Sequence, residues 1–76
     1  MSECLDEIKS ERKRQDEKWG EQNHEPLYWI SILVEEVGEA AKEVLENKFS
    51  NYRKELVQCA AVCVAAIESL DRNEKQ

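Results

Sequence analysis

The stretch LYWISILVEEVGEAAKEVLEN, residues 27–47, decides how this chain folds. Counting from Ile30, the apolar residues Leu33, Val34, Val37, Ala41 and Val44 follow at offsets of three, four, seven, eleven and fourteen, the interval at which one side of an α-helix recurs. A helix from about Leu27 to Asn47 with one continuous core-facing stripe is therefore predicted. Pro26 suits its first turn, where a missing N–H costs nothing. Upstream, Ser2 to about Lys18 is helix-forming but has only Leu5 and Ile8 as strong apolar anchors before Trp19, so this first helix is predicted to pack loosely. Gly20 supplies its stop, and residues 20–26 read as a polar connector.

Downstream, a connector around Lys48 to Asn51, with Ser50 or Asn51 as the cap, leads into a third helix that runs to about Asp71. Leu56, Val57, residues 59–63, Val64, Ala65, Ala66 and Ile67 leave that helix almost no polar face. A helix that is apolar all round is buried all round, and one hairpin partner plus one weak first helix cannot cover it. A second copy of the chain is the expected cover. The expected fold is all-α: a single domain over residues 1–76, three helices with a central antiparallel pair, assembling into an oligomeric helical bundle, dimer or tetramer.

Composition narrows the partners. Eleven basic side chains against 17 acidic ones give a net charge of −6, which disfavours nucleic acid or an anionic membrane and suits multivalent cations. The longest apolar run, residues 59–67, is nine residues, against the about 20 needed to span a bilayer. The first 14 residues are charged throughout, with no apolar core of the signal-peptide kind, so a soluble, cytoplasmic protein is expected. Cys4, Cys59 and Cys63 are odd in number and are expected to be reduced thiols. With His24 as the only histidine, a four-ligand zinc set does not assemble.

Chemistry concentrates on the acids. Glu36, Glu39 and Glu43 share one face of the second helix, with Glu35 at its flank and Ile32 and Trp29 in line behind them. Glu55 and Gln58 share a face of the third helix. Folding the chain back between Lys48 and Phe49 brings Glu36, Glu39, Glu55 and Gln58 to one layer of the helix pair, roughly 14 Å from the turn. Like charges about 4 Å apart repel by about 4 kcal/mol at an effective dielectric of about 20, so convergence of these acids calls for a divalent cation. Oxygen ligands without thiol or imidazole select Mg²⁺, or Mn²⁺. Spacing alone also leaves open a solvated acidic face, because Glu is a good helix former.

Glu35-Glu36-Val37-Gly38-Glu39 resembles the EExxE element of the MazG-like all-α nucleoside triphosphate pyrophosphohydrolases, and Glu55-Leu56-Val57-Gln58 stands where their second element, ExxD, belongs. The resemblance continues through residues 14–20, Gln22-Asn23-His24 and residues 55–68, as in the small phage-type members, and covers about Glu11 to Arg72. It implies Mg²⁺-dependent hydrolysis of a (deoxy)nucleoside triphosphate between the α and β phosphates, giving the monophosphate and pyrophosphate. Carried over by position, Glu36, Glu39, Glu55 and Gln58 would ligate the metal, and Glu35 would orient or deprotonate the attacking water. Gln58 departs from the motif's Asp; an amide oxygen still ligates but brings no charge, which puts turnover in question and leaves a nucleotide-binding or regulatory module as the alternative. Trp19 and Trp29 are candidates to stack on the base, Gln22, Asn23 and His24 to hydrogen-bond it, and Lys54, Arg53 and Lys18 to meet phosphates. A helical interaction protein with an acidic outer face is the third reading.

Overall fold

A computed structural model describes residues 2–74. It consists of three helices, α1 (Ser2–Trp19), α2 (Pro26–Leu45) and α3 (Phe49–Glu74), and no strand occurs among the described residues. The breaks between them follow local chemistry. Gly20 ends α1 at φ +75°, a conformation that other residues adopt at a cost. Pro26 opens α2 in its first turn, after Glu25 in extended conformation. At its far end the Asn47 N–H donates to the Val44 carbonyl (3.0 Å) and the Lys48 N–H to the Glu43 carbonyl (2.8 Å), with Asn47 at φ 58°. This is the paired closure of a Schellman turn, with Asn in the left-handed position glycine usually fills.

That turn is shorter than the sequence suggests. α2 ends at Leu45 instead of about Asn47, and α3 begins at Phe49, so Ser50 and Asn51 lie inside α3 and do not cap it. The Tyr52 N–H donates to the Lys48 carbonyl, making Lys48 the first residue of the new helix's hydrogen-bonding pattern. The pivot consequently sits at Asn47. Glu36 and Gln58, each eleven residues from Asn47, come level, whereas the sequence paired Gln58 with Glu39.

α3 is the centre of the fold. It packs against α2 along one side and against α1 along the other, while α1 and α2 do not pack on each other among the described residues. Ala61, Val62, Ala65 and Ser69 of α3 are buried, as are Trp29 and Ala40 of α2. Trp29, Val62 and Ala65 form the core, with Ile32, Leu33 and Ala66 packed around them. α1 contributes no buried residue, as its sparse apolar content predicts. Polar ties to α3 hold it instead: Arg12 donates to Glu68 (2.7 and 3.2 Å), and Arg53 makes a two-pronged bond to Glu7 (2.6 and 2.9 Å).

The expected core stripe on α2 is corrected by this packing. Of Ile30, Leu33, Val34, Val37, Ala41 and Val44, only Leu33 is drawn into the core, while Val34 is 62% exposed and Val37 52%. The face turned to α3 is Trp29, Ile32, Leu33, Glu36, Ala40 and Glu43, which includes part of the acidic row. The third helix is likewise not buried all round within one chain: Phe49, Leu56, Ile67 and Leu70 are exposed. Ile30, Ile67 and Leu70 border a common groove with Pro26 and Ala66, so apolar surface of both helices adjoins there. No described helix is long and apolar enough to cross a membrane.

Candidate functional site

Because α1 and α2 flank α3 without meeting, a cleft of about 350 Å³ opens between them. Glu11, Arg14, Gln15, Lys18 and Trp19 form its α1 wall; Trp29, Ile32 and Glu36 form the α2 wall; Gln58 and Val62 of α3 lie between, and Gln22 of the connector closes one end. The volume lies in the range of small-molecule sites, about 300–1,000 Å³.

Glu36 is half-buried and lies beside Glu55 of α3. Its burial, the adjoining Glu55 carboxylate and the negative charges of Glu39 and Glu35 hold its carboxyl above the usual carboxylate range. Cys59 stands close by, and burial together with the Glu36 and Glu55 charges pushes its thiol up. It is a neutral, free thiol, as are Cys4 and Cys63 in the sense that neither is in a disulfide. Glu39 and Glu35 are exposed and act on Glu36 through their charge. Among the described residues no three carboxylate, thiol or imidazole groups converge as a finished ion cage. Glu36, Glu55 and the Gln58 amide are hard oxygen donors, a set that fits Mg²⁺ with waters and phosphates completing the shell.

Glu11 is the polar hub of the α1 wall, its side chain 11% exposed. Arg14 donates to it through Nε (2.9 Å) and Nη2 (2.6 Å), and Gln15 through Nε2 (3.5 Å). Gln58 borders the same cleft and adds to the lowering of the Glu11 pKa. Partial burial opposes ionisation of Glu11, but these bonds and the Arg14 charge outweigh it and keep the carboxyl below its ordinary range.

Trp29 is 6% exposed and its indole Nε1 is buried without a hydrogen-bond partner. A buried donor left unpaired costs about 1–3 kcal/mol, which singles this atom out as one that a bound acceptor would satisfy. Trp19, 61% exposed, lines the cleft with the Lys18 Nζ 4.8 Å from its ring centroid.

Six of the residues expected at the site from sequence therefore border one cleft: Lys18, Trp19, Gln22, Trp29, Glu36 and Gln58. Glu55 joins them through Glu36. Asn23 and His24 lie elsewhere. Asn23 accepts from Arg72 Nε (2.8 Å), and His24 packs its ring on Tyr28 and Trp29 at 4.2 and 4.9 Å while its carbonyl accepts from the buried Ser69 hydroxyl at 3.5 Å. Both residues pin the connector to α3. Lys54 lies in a neighbouring depression with Glu7, Arg53 and Val57 that also touches Glu11, Arg14 and Gln58. Sequence reading gave no role to Glu11, Arg14 or Gln15. Their signal was the polar row Glu11, Arg14, Gln15, Lys18 at offsets of three, four and seven, one helical face carrying both charge signs.

No family model matches the chain, and neither a curated protein nor a solved structure does.

Proposed function

We propose that the cleft binds a nucleoside triphosphate with Mg²⁺ and that the protein hydrolyses it between the α and β phosphates, as a MazG-like pyrophosphohydrolase. The observation that carries this reading is the Glu36–Glu55 pair, two helix-borne carboxylates side by side next to a cleft that also presents Trp19 and Trp29. Holding these acids together costs free energy in the free protein, and a divalent cation converts that repulsion into attraction. Glu36, Glu55 and the Gln58 amide, with Glu39 one turn along α2, are the residues that would hold the ion. Bound there, Mg²⁺ would neutralise phosphate charge and lower the pKa of a coordinated water. Glu35, exposed beside Glu36, is the group to accept the water's proton. The Trp29 Nε1 donor and the Trp19 ring are the groups for the base.

The chain acts as a homo-oligomer in this reading. The exposed row Ile30, Val34, Val37 and Val44 on α2 and the row Leu56, Ile67 and Leu70 on α3 are what a second copy would cover. Pyrophosphate release from purified protein, assayed with Mg²⁺ and each common triphosphate, tests the activity; no turnover of any substrate at high enzyme concentration rejects it.

The placement of Gln58 beside Glu11 favours one second reading, a nucleotide-binding module without turnover. In that case triphosphate binds with no product, and Gln58→Asp creates activity; a variant that binds and stays inert rejects lost charge as the cause.

A further inference from the structure

The α1 wall has a composition that the acidic motif does not account for. In a chain of net charge −6, two cationic side chains one turn apart, Arg14 and Lys18, line the cleft that Glu36 borders from the other side. Arg14 is not loose, although its side chain is 61% exposed. Its Nε and Nη2 are engaged by the mostly buried Glu11 carboxylate, which Gln15 holds in turn. That leaves the Nη1 group, which donates to no side chain among the described residues. A guanidinium fixed along one edge presents its other edge with little left to order. Lys18 makes no ion pair among the described residues and lies against the Trp19 ring. The cleft thus has cations on one wall and carboxylates on the other, with the unpartnered Trp29 donor beside them. A ligand complementary to both walls is a polyanion that carries its own divalent cation.

We infer that Arg14, held in place by Glu11, and Lys18 form the polyphosphate-binding wall of this cleft, facing the carboxylates across the ligand. The inference rests on the nucleotide-hydrolase reading and extends it: Arg14 and Lys18 contact phosphate oxygens, and Glu11 is a positioning residue that acts through Arg14.

The test uses Mg²⁺–tripolyphosphate, which has no base, against Mg²⁺–orthophosphate, with affinities read by calorimetry on the wild type, R14Q, K18Q, R14Q/K18Q, E11Q and E11Q/R14Q. Each single cation loss is expected to weaken tripolyphosphate about tenfold and the double loss about a hundredfold, with orthophosphate changed less than about threefold. Mg²⁺ binding alone stays unchanged in R14Q and K18Q. E11Q weakens tripolyphosphate in the wild-type background but not in the R14Q background, a dependence that a merely structural role for Glu11 would not produce. Wild-type affinity retained by R14Q/K18Q overturns the inference and leaves the hydrolase reading standing. A wild type that binds nucleoside triphosphate but not tripolyphosphate does the same, and one that binds neither overturns both.

Discussion

Replacing Glu36 with Gln is predicted to stabilise the metal-free protein at neutral pH. Glu36 lies beside Glu55, and the charges of Glu39 and Glu35 add to the same repulsion. Two like charges about 4 Å apart repel by about 1 kcal/mol in bulk water and about 4 kcal/mol at an effective dielectric of about 20, so a half-buried pair at the rim of a cleft falls near 1–2 kcal/mol. A domain of this size shifts its Tm by about 4–8 °C per kcal/mol, so E36Q in the presence of a chelator is expected to melt at least about 4 °C above wild type. The pH dependence has a definite sign. The folded-state pKa of Glu36 is raised, so the stability tied to its protonated form is fully present below the unfolded carboxyl pKa, about 4.3, and is lost as pH rises through the raised value. The advantage of E36Q is therefore absent in acid and opens as pH climbs towards neutral. Saturating Mg²⁺ with triphosphate reverses the order, because only the wild type gains ligand stabilisation. Thermal unfolding at equal protein concentration, with chelator and with Mg²⁺, from pH 4 to 8, measures all of this. An E36Q variant no more stable than wild type at pH 7 with chelator, or a gain that persists undiminished in acid, refutes the account of strained carboxylates.

Arg12→Met keeps the apolar stem of a side chain that is 14% exposed but removes its bonds to Glu68 and Asp16; both partners are about half exposed, so the cost is about 1 kcal/mol, with hydrogen exchange accelerating in α1 ahead of the α2–α3 hairpin. Asn47→Ala forces a left-handed φ of 58° on a residue that resists it and should cost about 1 kcal/mol, while Asn47→Gly stays within about 0.5 kcal/mol of wild type, both by chemical denaturation. Val34→Glu places a charge in the exposed apolar row and should reduce the sedimenting species to a single 8.9 kDa chain; a wild type that already sediments at that mass removes the self-association reading.

Local features of this fold were legible because they depend on neighbours in sequence. Gly20 and Pro26 mark the first break through φ and a missing N–H, properties a residue carries wherever it stands. The three helices and the weak apolar content of α1 follow from composition and period alone. The second break was misplaced by one to two residues, because Asn47 adopts the left-handed turn usually filled by Gly and gives no distinctive signal for it. That slip changed which side chains are level across the hairpin.

Which stripe of α2 faces α3 could not be read from period. Both the row Ile30, Val34, Val37 and the row Trp29, Ile32, Glu36, Ala40 recur at helical spacing. The chain buries the second, since Trp29 fills the gap beside Val62 and the small Ala65, and it leaves the more uniformly apolar row outside. The same placement puts Glu36 beside Glu55 and opens the cleft towards α1, whose Glu11 and Arg14 show no motif of their own. Sequence by itself determined three helices, the break between Gly20 and Pro26, and acidic side chains along all three. Only the tertiary structure decided which acids lie side by side and which helix walls the cleft, because a period specifies a residue's direction around its own axis and not the neighbour that fills that direction.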